Sequence, residues 1–147
     1  MSLHENFGKG NKDANENLTA NDVVYTPREI ARQMIAFYRE DLLNDFRPKM
    51  FGLRKDKREL TILDPCRGDG SFYDQYPGFC QKEWCEITEG RDFLDWDKRV
   101  DWIITNPPYS IYEEFCQKAF EVADNVCFLV PLSKVVSSLG RIKSVMD

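Results

Sequence analysis

Asn106-Pro107-Pro108-Tyr109 is the sharpest chemical pattern in the chain. Two successive prolines remove two backbone donors and stiffen a turn, so the carbonyls there are left to face a cleft. The Asn106 side-chain oxygen and a proline carbonyl could together accept both hydrogens of one planar NH₂ group. Tyr109 could offer a face on which a base stacks, an interaction of roughly 1–3 kcal/mol. The bland alternative is a structural turn after a buried strand.

A second pattern lies upstream, in Asp64-Pro65-Cys66-Arg67-Gly68-Asp69-Gly70-Ser71-Phe72. Gly68 and Gly70 allow the backbone to approach a ligand closely, and a helix starting after them would offer free N–H donors. A bare G-x-G is equally consistent with a structural turn. The third glycine of a dinucleotide fingerprint and the Gly-Lys-Ser/Thr of a phosphate loop are both missing. Flanking carboxylates would repel a pyrophosphate, so a ligand with a positive centre fits better. Glu86 stands roughly 20 residues beyond Asp64, where ribose-binding carboxylates sit in nucleotide-binding sheets. Asp92 could accept from an adenine amino group, and Phe93 could stack on the ring. Each of the three also has an ordinary structural reading.

Alternating strands and helices must position these groups. Thr26, Pro27 and Glu29 read as a capping box that starts a helix running to about residue 43, with Ile30, Met34, Phe37, Tyr38 and Leu42 at helical spacing. Residues 60–63, 84–87, 100–105 and 126–132 read as strands, 111–123 as a helix, and 133–146 as a helix weakened at Gly140. The segment after Gly70 can hold only a short helix, because Pro77-Gly78 interrupts it. This alternation predicts an α/β fold with a mostly parallel sheet. The three candidate segments all follow strands, where ligands of such sheets bind.

Composition narrows the class. The chain has 147 residues, enough for one core, with 42% hydrophobic residues. No apolar run approaches the roughly 20 residues of a membrane span, and the start of the chain lacks the apolar segment of a secretory signal. An intracellular protein, cytoplasmic in a bacterial or phage setting and without membrane partners, is the expectation. Residues 1–22 read as a flexible polar arm, leaving 23–147 as the folded domain. The formal net charge of −5 is a poor footprint for gripping nucleic acid unaided. The one basic stretch, residues 47–58, reads first as a solvated loop and second as a phosphate contact. Five cysteines, with no C-x-x-C pair and a lone histidine in the arm, predict free thiols and no metal site.

Residues 64–72 together with 106–109 resemble the cofactor and catalytic loops of DNA adenine-N6 methyltransferases. Tyr25-Thr26-Pro27 resembles a cofactor-contacting stretch that precedes the cofactor loop in one subgroup, and the likeness spans most of residues 23–132. The resemblance implies a Rossmann-like methyltransferase fold, S-adenosyl-L-methionine as cofactor and adenine in DNA as acceptor. Tyr25, Thr26 and Pro27 would line the methionine end of the cofactor with Asp64, Cys66, Gly68 and Gly70. Glu86 would hold the ribose, with Asp92 and Phe93 at the adenine. Asn106 and the Pro107 carbonyl would grip the target amine, Pro108 would hold the turn, and Tyr109 would stack on a base flipped from the duplex.

The family sheet continues past its equivalent of residues 126–132 and often carries a target-recognition domain. The expectation is therefore a sheet without its final strands, a chain that binds cofactor but methylates DNA weakly alone, and a need for a separate recognition subunit or self-association. Competing expectations are methylation of RNA or of a protein glutamine amide, or a cofactor-binding fragment without activity. A nicotinamide-dependent oxidoreductase fits the fold class but not the motifs.

Overall fold

The computed structural model describes residues 25–53 and 59–133. The expected arm, positions 54–58 of the basic stretch and the final helix after Ser133 lie outside them; Leu132 and Ser133 are helical. The elements are α1 (Arg28–Phe37), α2 (Arg39–Met50), β1 (Thr61–Asp64), β2 (Gln81–Trp84), β3 (Val100–Thr105), α3 (Tyr112–Val122) and β4 (Ala123–Phe128). The four strands form one parallel sheet in the order β2-β1-β3-β4. Among the described residues no helix is long and apolar enough to cross a membrane.

Alternation along the central strands builds two cores. Ile62, Trp102 and Ile104 face one side and pack with Ala31, Ile35 and Leu42 of the first two helices. Leu63 and Ile103 face the other side and pack with Phe115, Ala119 and Val122 of α3. A sheet covered on both faces needs near-continuous apolar strands, and all six residues of β3 are buried. Its one charged residue, Asp101, is held by accepting from the Thr61 N–H at 2.8 Å. Trp102 adds a polar tie, donating its indole N–H to Asp45 of α2 at 2.8 Å.

Several boundaries differ from the expected ones. The long first helix is two, breaking at Tyr38, which leaves the helical conformation at φ −92°, ψ 5°. The capping box is absent: Pro27 occupies the cap position without a side-chain bond, while Glu29 pairs with Arg32 and Gln33. The second strand runs over Gln81–Trp84 and not 84–87, because it pairs from Thr61↔Gln81 to Asp64↔Trp84 and β1 ends at Asp64, before Pro65. Edge position let its polar residues remain half-exposed, which concealed it. The fourth strand begins three residues early for the same reason: its register with β3 runs from Val100↔Ala123 to Thr105↔Phe128. No α-helix joins β1 to β2; a three-residue 3₁₀ turn (Tyr73–Gln75) does. Phe72, Tyr76 and Cys80 fill the space a helix would occupy.

Candidate active site

The strand order reverses between β1 and β3, since β2 lies on one side of β1 and β3 on the other. Such a reversal opens a crevice outside the carboxyl ends of the two strands. Asp64 ends β1 and Thr105 ends β3, so the two candidate loops leave the sheet side by side.

A buried hydrogen-bond network joins them. Thr105 donates its hydroxyl to Asp64 Oδ1 at 2.9 Å, and the Cys66 N–H points to the same oxygen at 3.3 Å. The Cys66 thiol donates to the main-chain oxygen of Asn106 at 3.1 Å. Burial and the neighbouring Asp64 push that thiol well above its ordinary range, so it stays protonated and able to donate. Asp64 is 1% exposed, and its Oδ2 has no hydrogen-bond partner. Burial raises its carboxyl to about 7, against the opposing pull of the Thr105 hydroxyl and the Cys66 and Tyr73 backbone N–H groups. A buried acid oxygen without a well-placed donor is costly, and a ligand donor could satisfy it.

Asn106 is held at both ends of its amide. Its Nδ2 donates to the Thr26 hydroxyl oxygen at 3.0 Å, and Tyr109 donates its hydroxyl to Oδ1 at 2.8 Å. Pro107 and Pro108 are buried, which fixes the turn. Tyr109 therefore does more than the expected stacking: its hydroxyl occupies one acceptor direction of the oxygen that would meet an amine, leaving the other.

The glycine loop departs from its expected chemistry. Gly68 and Gly70 have φ of +55° and +86°, so both need the left-handed region that glycine favours. The loop donors are consumed within the protein: Gly68 N–H by Glu86 at 2.7 Å, Gly70 N–H by the Arg67 carbonyl at 2.9 Å, and Ser71 N–H by Asp69 at 3.1 Å. With no helix following, there is no array of free N–H groups, in keeping with a ligand that is not a phosphate. A side chain at Gly70 would put Cβ 2.8 Å from the Asp74 carboxylate, itself paired with Arg28. Gly70→Ala is accordingly expected to destabilise the fold by about 1–2 kcal/mol, read as a lower denaturant midpoint. An unchanged midpoint would show that the turn does not need this conformation.

The adenine and ribose residues are partly corrected. Phe93 is 3% exposed and packs on Phe115 with ring centroids 4.7 Å apart, so it is a core residue and its face is not open to a ligand. Asp92 caps its own 3₁₀ turn, accepting from the Leu94 N–H at 2.9 Å. Glu86 lies two residues beyond β2 and accepts from Gly68 N–H and from the N–H and hydroxyl of Thr88. A carboxylate has about four acceptor directions, so two vicinal hydroxyls could bind only if one of these bonds yields.

Tyr25 lies over Gly68, where a Cβ would come within 2.9 Å of its ring, and is 56% exposed. Pro27 is exposed at the start of α1. Thus contacts link Asp64, Cys66, Gly68, Glu86, Asn106 and the Tyr25-Thr26 pair beside the strand-order reversal, while Phe93 packs in the core. Thr105 was missed as a site residue; its position as a polar residue ending an apolar strand opposite Asp64 was the available signal. All five cysteines are free, and no group of metal-ligating side chains occurs among the described residues. Comparison of the chain with protein-family models, curated proteins and solved structures gives no match.

Proposed function

We propose that the chain is an S-adenosylmethionine-dependent N-methyltransferase acting on a planar amino group, with adenine N6 in DNA as the acceptor. The observation that carries this reading is the clamped amide of Asn106, at the strand-order reversal and one network away from a buried carboxyl with one unpartnered oxygen. The parallel sheet is compatible with a Rossmann-like methyltransferase fold.

The donor set suits this cofactor. An ammonium group at its methionine end would give Asp64 Oδ2 the partner it lacks, and a sulfonium is tolerated where acids cluster. Gly68 provides close approach once the Tyr25 ring moves aside, and Glu86 and Asp92 would turn to the ribose and adenine. When bound, S-adenosylmethionine supplies a methyl group activated by attachment to positive sulfur. The protein's contribution is orientation and electrostatics. Asn106 Oδ1 and the Pro107 carbonyl would accept the two N–H bonds of the target, aiming the nitrogen lone pair out of the base plane. Both oxygens would then stabilise the positive charge that develops on nitrogen before its proton leaves. Tyr109 would hold Oδ1 and border the base. A base in duplex DNA would have to be flipped out to reach this crevice.

The direct test is incorporation of labelled methyl from S-adenosylmethionine into duplex DNA, RNA and protein. Label on adenine N6 is expected; label confined to RNA or to glutamine amides would replace the acceptor. Calorimetric titration separates cofactor binding from transfer. Binding without transfer to any acceptor would reduce the reading to a cofactor-binding domain in need of a partner, and absence of binding would end it.

A further inference from the structure

The Asn106 amide must present its oxygen, not its nitrogen, to the incoming amine. The terminal torsion of asparagine is broad and nearly two-fold, so nothing intrinsic to the side chain selects one orientation. Selection has to come from neighbours: Tyr109 donates to Oδ1 at 2.8 Å, and from a segment 80 residues away Thr26 Oγ1 accepts from Nδ2 at 3.0 Å. Thr26 is only 8% exposed although it precedes an exposed helix start, and it does not cap that helix. Its hydroxyl instead meets the Asn106 amide. The adjoining Tyr25 ring rests on Gly68, so the two residues bridge both loops of the crevice.

We propose that Thr26 is a positioning residue for Asn106: its hydroxyl oxygen accepts from the amide nitrogen while Tyr109 donates to the amide oxygen, and the two together hold that oxygen toward the target amine. This rests on the reading of Asn106 as the amine-holding residue, and gives Thr26 a role separate from contact with the cofactor. Because Tyr25 and Thr26 are consecutive, movement of the ring off Gly68 acts on the same segment that orients Asn106.

Thr26→Val removes the acceptor at nearly constant volume, Thr26→Ala removes it without a branched side chain, and Thr26→Ser retains the hydroxyl. The first readout is the Asn106 side-chain amide pair in ¹⁵N-correlated spectra of the full chain, assigned by its loss in Asn106→Asp. Thr26→Val and Thr26→Ala are expected to shift and broaden that pair, whereas Thr26→Ser leaves it near the parent position. The second readout is kinetic: kcat about tenfold lower in Val and Ala, with recovery in Ser. An Asn106 amide unmoved in both Val and Ala variants overturns the proposal, as does failure of Ser to restore it. A parent that methylates no acceptor would remove the proposed function, while the spectra still decide the role of Thr26.

Discussion

Asn106→Ala is expected to lower methyl-transfer turnover by about 10²–10³-fold while leaving S-adenosylmethionine affinity within about threefold. The loss falls on kcat because the amide oxygen acts on the amine as positive charge develops there. Cofactor affinity is spared because Asp64 and Gly68 stand on the loop after β1 and Glu86 on the loop after β2, and the first is linked to Asn106 through its main-chain oxygen and the Cys66 thiol. That link survives truncation of the Asn106 side chain. Asn106→Asp is expected to lose less, since a carboxylate oxygen can still accept an N–H and keep the bond from the Tyr109 hydroxyl. Turnover of Asn106→Ala within about threefold of the parent would show that another residue holds the amine.

Asp64→Asn is expected to weaken S-adenosylmethionine binding by about 10–100-fold and to stabilise the protein at alkaline pH. The folded carboxyl sits at about 7 against an ordinary value of 3.8, raised mainly by burial. A raised carboxylate pKa means that the folded state holds the proton more tightly than the unfolded chain does. Stability is therefore greatest at low pH with respect to this group, and is lost as pH rises from the unfolded value through about 7. Between pH 5 and pH 8 the parent should lose about 2–3 kcal/mol relative to Asp64→Asn, which has no proton to release there. A gap in unfolding free energy that stays constant across this range would mean Asp64 does not titrate in it. The same proton links to binding: the carboxylate is ionised to about one-tenth at pH 6 and nine-tenths at pH 8, so parent affinity should rise roughly tenfold over that interval. Asp64→Asn should bind weakly at both. A residue that costs stability until a cationic partner arrives is what a site retains and a core does not.

The α/β class, the placement of the Asn106–Tyr109 turn after a strand and the buried β3 were legible because each depends on local pattern. Alternating elements force a parallel sheet, two prolines force a turn, and a mostly apolar six-residue strand finds the centre of the sheet. Edge strands were less legible. Gln81–Trp84 is polar because half of it faces solvent, and its limits follow from the length of β1 beside it. Phe93 illustrates the converse: an aromatic after an acid satisfied a local expectation of stacking, but α3 covers it with Phe115.

The sequence by itself determined which chemical groups stand at the ends of the strands, since residue type and strand-ending turns are local properties. Only the tertiary structure decided which of them meet. The reversal of strand order brings Asp64 and Thr105 together, 41 positions apart, and folding the first helix back onto the sheet brings Thr26 to Asn106. Thr26 read locally as a helix cap because threonine before proline has that propensity. The burial of its hydroxyl beside an amide that needed an acceptor outweighed that propensity, and no one-dimensional pattern contains the distance between them.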